Sequence, residues 1–229
     1  MFRAIKNALR RRQLAVRGIR DEIRIPKSFC GSRHGGWTVH AEAISPGETV
    51  YSFGAGCEIS FDLSLIAKYG VTVHVFDPTP VSVEWIARQK LPERFLFHAC
   101  GIAGHDGTAE FYAPQKVTSA HFTPVRRFRD ESTATIRAPV KKLRTIMREL
   151  GHGEIGLLKL DIEGGEYDVI EDIVRENIPV RQLLVEFHHN YETIPIGRTV
   201  DAIAKLRQAG FKIFHISERT YEISLLKSP

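Results

Sequence analysis

The sequence predicts an α/β fold with an open, mostly parallel sheet of seven strands and helices on both faces. Strand-like and helix-like segments alternate from residue 48 onward. The last two strand-like segments follow one another directly, so one closing strand must be antiparallel. No apolar run reaches the about 20 residues needed to cross a bilayer.

Each element follows from local pattern. "TVYSFG" reads as a strand, and "EISFDLSLIAKYG" as a helix that Gly70 ends. "VTVHVFDP" is a second strand, followed after Pro78 and Pro80 by the helix "VSVEWIARQK". "RFLFHAC" is a third strand. "IAGHDGTAEFYAP" reads as a hairpin turning at His105, Asp106 and Gly107. An irregular stretch precedes the helix "LRTIMREL", which Gly151 closes. "IGLLKLDI" is the fourth strand, "EYDVIEDIVREN" a helix and "QLLVEFHH" the fifth strand. "TVDAIAKLRQAG" is the last helix, and "FKIFHIS" and "TYEISLLK" form the closing pair around Glu218 and Arg219.

Charge divides the chain in two. Arg3, Lys6, Arg10, Arg11, Arg12, Arg17, Arg20, Arg24 and Lys27 face only Asp21 and Glu22, whereas the remainder is nearly balanced with acids slightly in excess. Residues 1–47 are therefore read as a basic helical arm and linker, and 48–229 as the ligand-binding domain. Phe2, Ile5, Leu9, Leu14, Val16, Ile19 and Ile23 interleave with these cations at helical spacing. Packing on the body, a subunit contact and a peripheral membrane contact are all compatible with that pattern. The balanced body argues against a nucleic-acid partner. Cys30, Cys57 and Cys100 are odd in number and lack metal-site spacing. A reducing cytoplasmic location is expected, and the N-terminus lacks the apolar core of a secretory signal.

Four strand ends carry the candidate chemistry. Phe53, Gly54 and Gly56 form a tight turn after the first strand, with Glu58 beside it and no third glycine. An acid there disfavours a pyrophosphate at the helix N-terminus and argues against a dinucleotide. A nucleoside with a cationic tail, S-adenosylmethionine, suits it. Asp77 and Pro78 end the second strand, where a carboxylate can hold ribose hydroxyls. Cys100 and Gly101 end the third, beside the expected adenine. Asp161 ends the fourth, followed by Glu163, and Glu186 and His188 end the fifth. Asp161, Glu186 and His188 are the candidate catalytic groups, able to deprotonate a hydroxyl or hold a divalent metal. Strand alternation sends His188 and His189 to opposite faces, so only one is expected at the site. The segment "KVTSAHFTPVRRFRDE" is expected to cover a small-molecule or glycan acceptor.

"KLDIEGGEYDVI" resembles the K-x-D-x-E-G-x-E hallmark of FkbM-type methyltransferases through Lys159, Asp161, Glu163, Gly164 and Glu166. "VYSFGAGCEISFD" and "VFDPTP" are similar to a branch of methyltransferase-like proteins. The resemblance implies the Rossmann-like fold of class I S-adenosylmethionine-dependent methyltransferases and O-methylation of a sugar or natural-product hydroxyl. It places the cofactor at Gly54, Gly56 and Asp77 and the chemistry near Asp161. Ser52 stands where the family carries an acid, which with Glu58 keeps open a degenerate, nonenzymatic binding protein.

Overall fold

A computed structural model describes residues 2–114, 121–129 and 134–228. Helix α1 (Phe2–Ala15) leads to a short hairpin of β1 (Ser28–Cys30) and β2 (Trp37–Val39). The main elements then follow in order: β3 (Thr49–Phe53), α2 (Ser60–Tyr69), β4 (Thr72–Phe76), α3 (Pro80–Ile86) and β5 (Phe95–His98). Next come β6 (Gly101–Ile102), β7 (Gly107–Tyr112), β8 (Thr135–Lys141), α4 (Leu143–Leu150) and β9 (Ile155–Leu160). The chain ends with α5 (Glu166–Arg175), β10 (Val180–Glu186), α6 (Ile196–Gln208), β11 (Phe211–Ile216) and β12 (Glu222–Lys227).

Seven strands form one sheet in the order β11-β12-β10-β9-β3-β4-β5. β10, β9, β3, β4 and β5 are parallel, and β12 runs antiparallel between β10 and β11. This is the class I methyltransferase arrangement expected from the sequence. All six residues of β9 are buried, as a central strand covered on both faces requires. One face packs Tyr51, Phe53, Leu158 and Leu160 against Ile146, Ile170 and Ile203 of α4, α5 and α6. The other packs Val50, Val73, Val75 and Leu157 against Phe61, Leu65 and Ile86 of α2 and α3. Crossovers leave β3 and β9 in opposite directions along the sheet, so a crevice opens at their carboxyl ends.

One expectation needs correction. The stretch 101–112 is no hairpin, because β6 and β7 pair with β8 between them and not with each other. β8 itself was hidden by Pro139, which has a partner only on the β7 side, opposite Thr108. The N-terminal arm packs on the body, one of the contacts its pattern allows. Leu14 and Ile19 are buried in the α5–α6 core, while Ile23 and Ile25 pack on the opposite one. The chain passes between them around β11, where Glu22 accepts from the amide of Ile213 at 2.7 Å and ion-pairs with Arg207.

Leu14→Ala should therefore lower unfolding stability by about 2–4 kcal/mol. Leu9→Ala, at a side chain 62% exposed, should change it by less than about 0.5 kcal/mol. Urea denaturation of both variants checks this, and equal effects would refute an integral arm.

Candidate active site

A cleft of about 570 Å³ opens at the carboxyl ends of β3, β4, β9 and β10. Its floor is aromatic: Phe53 and Phe76 stack with ring centroids 4.4 Å apart. At the end of β3 the chain turns through Gly54 with φ +83°. A Cβ there would lie 1.7 Å from the carbonyl oxygen of Asp161, so only glycine lets β3 and β9 stay adjacent past their ends.

Asp77 is buried and locks this loop. One carboxylate oxygen accepts from the Gly56 amide at 2.9 Å; the other accepts from the amide and hydroxyl of Thr79 at 2.9 and 2.6 Å. Three of about four acceptor positions are thus in use. The Thr79 hydroxyl also lies 2.8 Å from Ser82 Oγ, so it has another partner if Asp77 takes a ligand hydroxyl. Glu58 lines the same end, accepting from the Ser60 amide and from Ser32 of the β1–β2 connection. Burial alone would raise its carboxyl, but these bonds and His34 hold it below its ordinary value.

Lys159 is the residue that sequence reading passed over. Its side chain is 6% exposed, and Nζ donates to the carbonyls of Gly54 and Phe53 at 3.0 and 3.3 Å. The same ammonium lies 3.7 Å from Asp161 Oδ2. Beneath it sits Asp62 of α2, whose carboxyl is raised by burial and drawn back by the charge of Lys159. Ser52 carries no acid on β3, and Asp62 of the neighbouring helix is buried close to Lys159 without lining the cleft.

The far half of the cleft is an ionic cluster. Glu163 has φ +53°, a left-handed conformation uncommon for a side-chain-bearing residue. Its carboxylate receives His121 at 2.7 Å, Arg127 at 3.4 Å and the Tyr191 hydroxyl, with His188 Nε2 at 3.5 Å. Burial opposes ionisation, but the His121 bond, the His188 charge and Tyr191 bring Glu163 down to about 2. Tyr191 is in turn pushed up by burial and by Glu163.

His188 is buried, and its ring Nδ1 is 3.3 Å from Glu166 Oε1, which also accepts the His188 amide at 2.8 Å. Burial favours the neutral ring, yet Glu166, Glu163 and Asp161 together raise it to about 10. This favours the imidazolium form of His188 at neutral pH, and with it a role in orienting its acidic neighbours over that of a base. Glu186 shows the reverse: burial, then Asp161 and Glu222, push it up to about 8, against His188 and Arg219. Arg219 reaches Glu186 at 3.2 Å and Glu222 at 3.1 Å.

Phe53, Gly54, Gly56, Glu58, Asp77, Pro78, Gly101, Asp161, Glu186 and His188 all line this one cleft. Cys100 does not; its side chain packs against the α4–α5 core before Gly101 turns into β6. His189 faces away, 3.1 Å from Thr199, as alternation requires. Of the expected acceptor cover, residues 116–120 and 130–131 lie outside the described residues, while His121, Phe122, Pro124 and Arg127 line the cleft. Ligand atoms of Asp161, Glu163 and His188 fall within 4.8 Å of one another, the donor set of a divalent cation. His188 and Arg127 already balance that charge, so a metal would enter only by displacing a proton and a guanidinium.

The family model for the methyltransferase FkbM domain matches residues 47–213. The 31-O-demethyl-FK506 methyltransferase FkbM of Streptomyces tacrolimicus is 24% identical over 203 residues, 76% of each chain. The probable methyltransferase-like protein 24 of Homo sapiens is 25% identical over 177 residues, which span 72% of this chain but only 42% of that protein. Among solved structures, the Methanococcus jannaschii fibrillarin pre-rRNA processing protein gives a TM-score of 0.45 at 8% identity, covering 82% and 69% of the two chains.

An NMR titration should find His188 still protonated at pH 8, with its midpoint near 10, and Glu166→Gln should lower that midpoint. The folded value exceeds the ordinary 6.5, so the ring's contribution to stability is full below pH 6.5 and disappears as pH rises through about 10. A midpoint at or below the ordinary value would refute the imidazolium.

Proposed function

Because the chain belongs to the FkbM methyltransferase family, we propose that it transfers methyl from S-adenosylmethionine to a hydroxyl of a sugar or natural-product acceptor. The carrying observation is the division of the cleft: a glycine loop ringed by Glu58, Asp77 and Asp161 at one end, and Glu186 raised to about 8 at the other. The donor set fits the cofactor. Three carboxylates around the loop favour a cationic nucleoside and repel a pyrophosphate. When bound, S-adenosylmethionine supplies a methyl group on a positively charged sulfur.

The chain's own residues then have separate tasks. Gly54 and Gly56 allow close backbone approach for the methionyl end, with Asp161 and Glu58 facing its ammonium. Asp77 takes ribose hydroxyl, and Pro78 and Gly101 border the adenine. Glu186 accepts the acceptor's hydroxyl proton, since a carboxyl near 8 is far better matched to the task than an ordinary one. His188, as a cation, holds Glu163 and Asp161 in place rather than moving a proton. The 121–127 segment closes over the reacting groups, excluding water and aligning the acceptor. The name of the Streptomyces tacrolimicus relative specifies an oxygen-linked methyl, which supports a hydroxyl acceptor here.

Calorimetric titration should show binding of S-adenosylmethionine and none of NAD, with Asp77→Ala weakening the former by roughly tenfold or more. Binding of neither would sink the enzyme reading and favour a nonenzymatic role for the fold.

With an acceptor in hand, kcat should rise with pH through a midpoint near 8, as Glu186 loses its proton. Glu222→Gln removes one of the charges that raise Glu186, so it should move that limb to lower pH. A limb unmoved by Glu222→Gln and lost on neither Glu186→Gln nor Glu186→Ala would exclude Glu186 as the base.

A further inference from the structure

The inner side of α1 is engaged and its outer side is not. Inward, Leu14 is buried, Arg11 donates to the carbonyls of Ile216 and Ser217 at 2.9 and 3.1 Å, and Arg10 stacks over Tyr221 at 4.7 Å. Outward, Ile5, Leu9 and Val16 are 51%, 62% and 71% exposed. Ile5 and Leu9, about one turn apart in α1, lie on the side opposite Leu14, and Val16 directly follows the helix. Lys6 and Arg12 of α1, and Arg17 and Arg20 just beyond it, are exposed, and no acid precedes Asp21. Folding of this chain accounts for the inner side alone.

We propose that the outer side of α1 docks in the surface of a bilayer carrying anionic lipid. Exposed aliphatic side chains among cations match the layering of acyl chains beneath negative headgroups. The charge is concentrated where those side chains are: the arm is strongly basic, while the rest of the chain is slightly acidic and would be repelled. α1 is far too short and charged to span, and no described helix is long and apolar enough to cross a membrane.

Position gives the docking a consequence. Ile216, Ser217 and Tyr221 lie at the sheet edge where the cleft opens. Asn190 lines both the cleft and a second hollow that Arg10 and Gln13 also line. Docked through α1, the protein holds its cleft beside the lipid headgroups. This placement is independent of the chemistry proposed for the cleft.

Co-sedimentation of the full chain with phosphatidylcholine vesicles, with and without phosphatidylglycerol, tests it. The chain should bind only the anionic vesicles, less at high salt. Leu9→Glu and the double variant Lys6→Glu/Arg12→Glu should each lose roughly tenfold or more in partitioning, with thermal unfolding unchanged. No binding to anionic vesicles overturns the proposal. So does binding that survives Leu9→Glu, which would mean unspecific adsorption of charge. A dimer detected by light scattering and abolished by Leu9→Glu, without vesicle binding, would make the side a subunit interface instead.

Discussion

The cleft depends on one buried ammonium. Lys159 sits on the central strand, shut off from water, and its charge must be met by protein groups. It finds them in the carbonyls of Phe53 and Gly54, in Asp161 and in the nearby Asp62. Those contacts join the end of β3 to the end of β9, the two strands between which the crevice opens. A methionine of similar length would fill the space but leave the carbonyls and Asp161 without their cation. Removing one partner of a buried ion pair is generally the destabilising change. The glycine loop is therefore held by charge from below and by Asp77 from the side.

Around that clamp, the cleft concentrates acids and must distribute cations among them. Glu163, Glu166, Asp161 and Glu186 lie close enough that each alters the others or their partners. His188 and Arg127 pair with Glu163 and Glu166, whereas the ion pair described for Glu186 is with Arg219, itself shared with Glu222. That unequal sharing is why Glu163 is acidic and Glu186 is not, although both are largely enclosed by protein. Two carboxylates on one rim thus take opposite protonation habits from their surroundings alone.

The sheet was legible because its information is local. Alternation, glycine stops and strand-end acids lie within a few residues of one another, and they brought ten of the chosen positions, from Phe53 to His188, to one cleft. What escaped depends on distant contacts. β8 looks irregular until β6 and β7 flank it. The arm's path around β11 rests on Glu22 meeting Ile213, 191 residues away. Residue type leaves His188 open as base or orienter, and its three acidic neighbours favour the cation. Ser52 looked like a loss on its strand, and no spacing rule links it to Asp62 one helix later. Cys100 was placed by adjacency to Gly101, although its side chain turns toward the core.

Glu163 shows how such distant contacts justify local strain. A left-handed backbone at a glutamate costs on the order of 1 kcal/mol, which isolated sequence would not choose. The following Gly164 continues the turn at φ +103°, where a Cβ would sit 2.4 Å from Val125. With this turn, Glu163 presents its carboxylate to His121, Arg127 and Tyr191 and its carbonyl to the Thr123 hydroxyl at 2.6 Å. His121, Thr123 and Arg127 of the described cover are thereby tied to one residue just past the central strand. The strain persists because relaxing it would break the backbone and side-chain ties at once. The cover is thus held in part from the turn that directly follows Lys159 and Asp161.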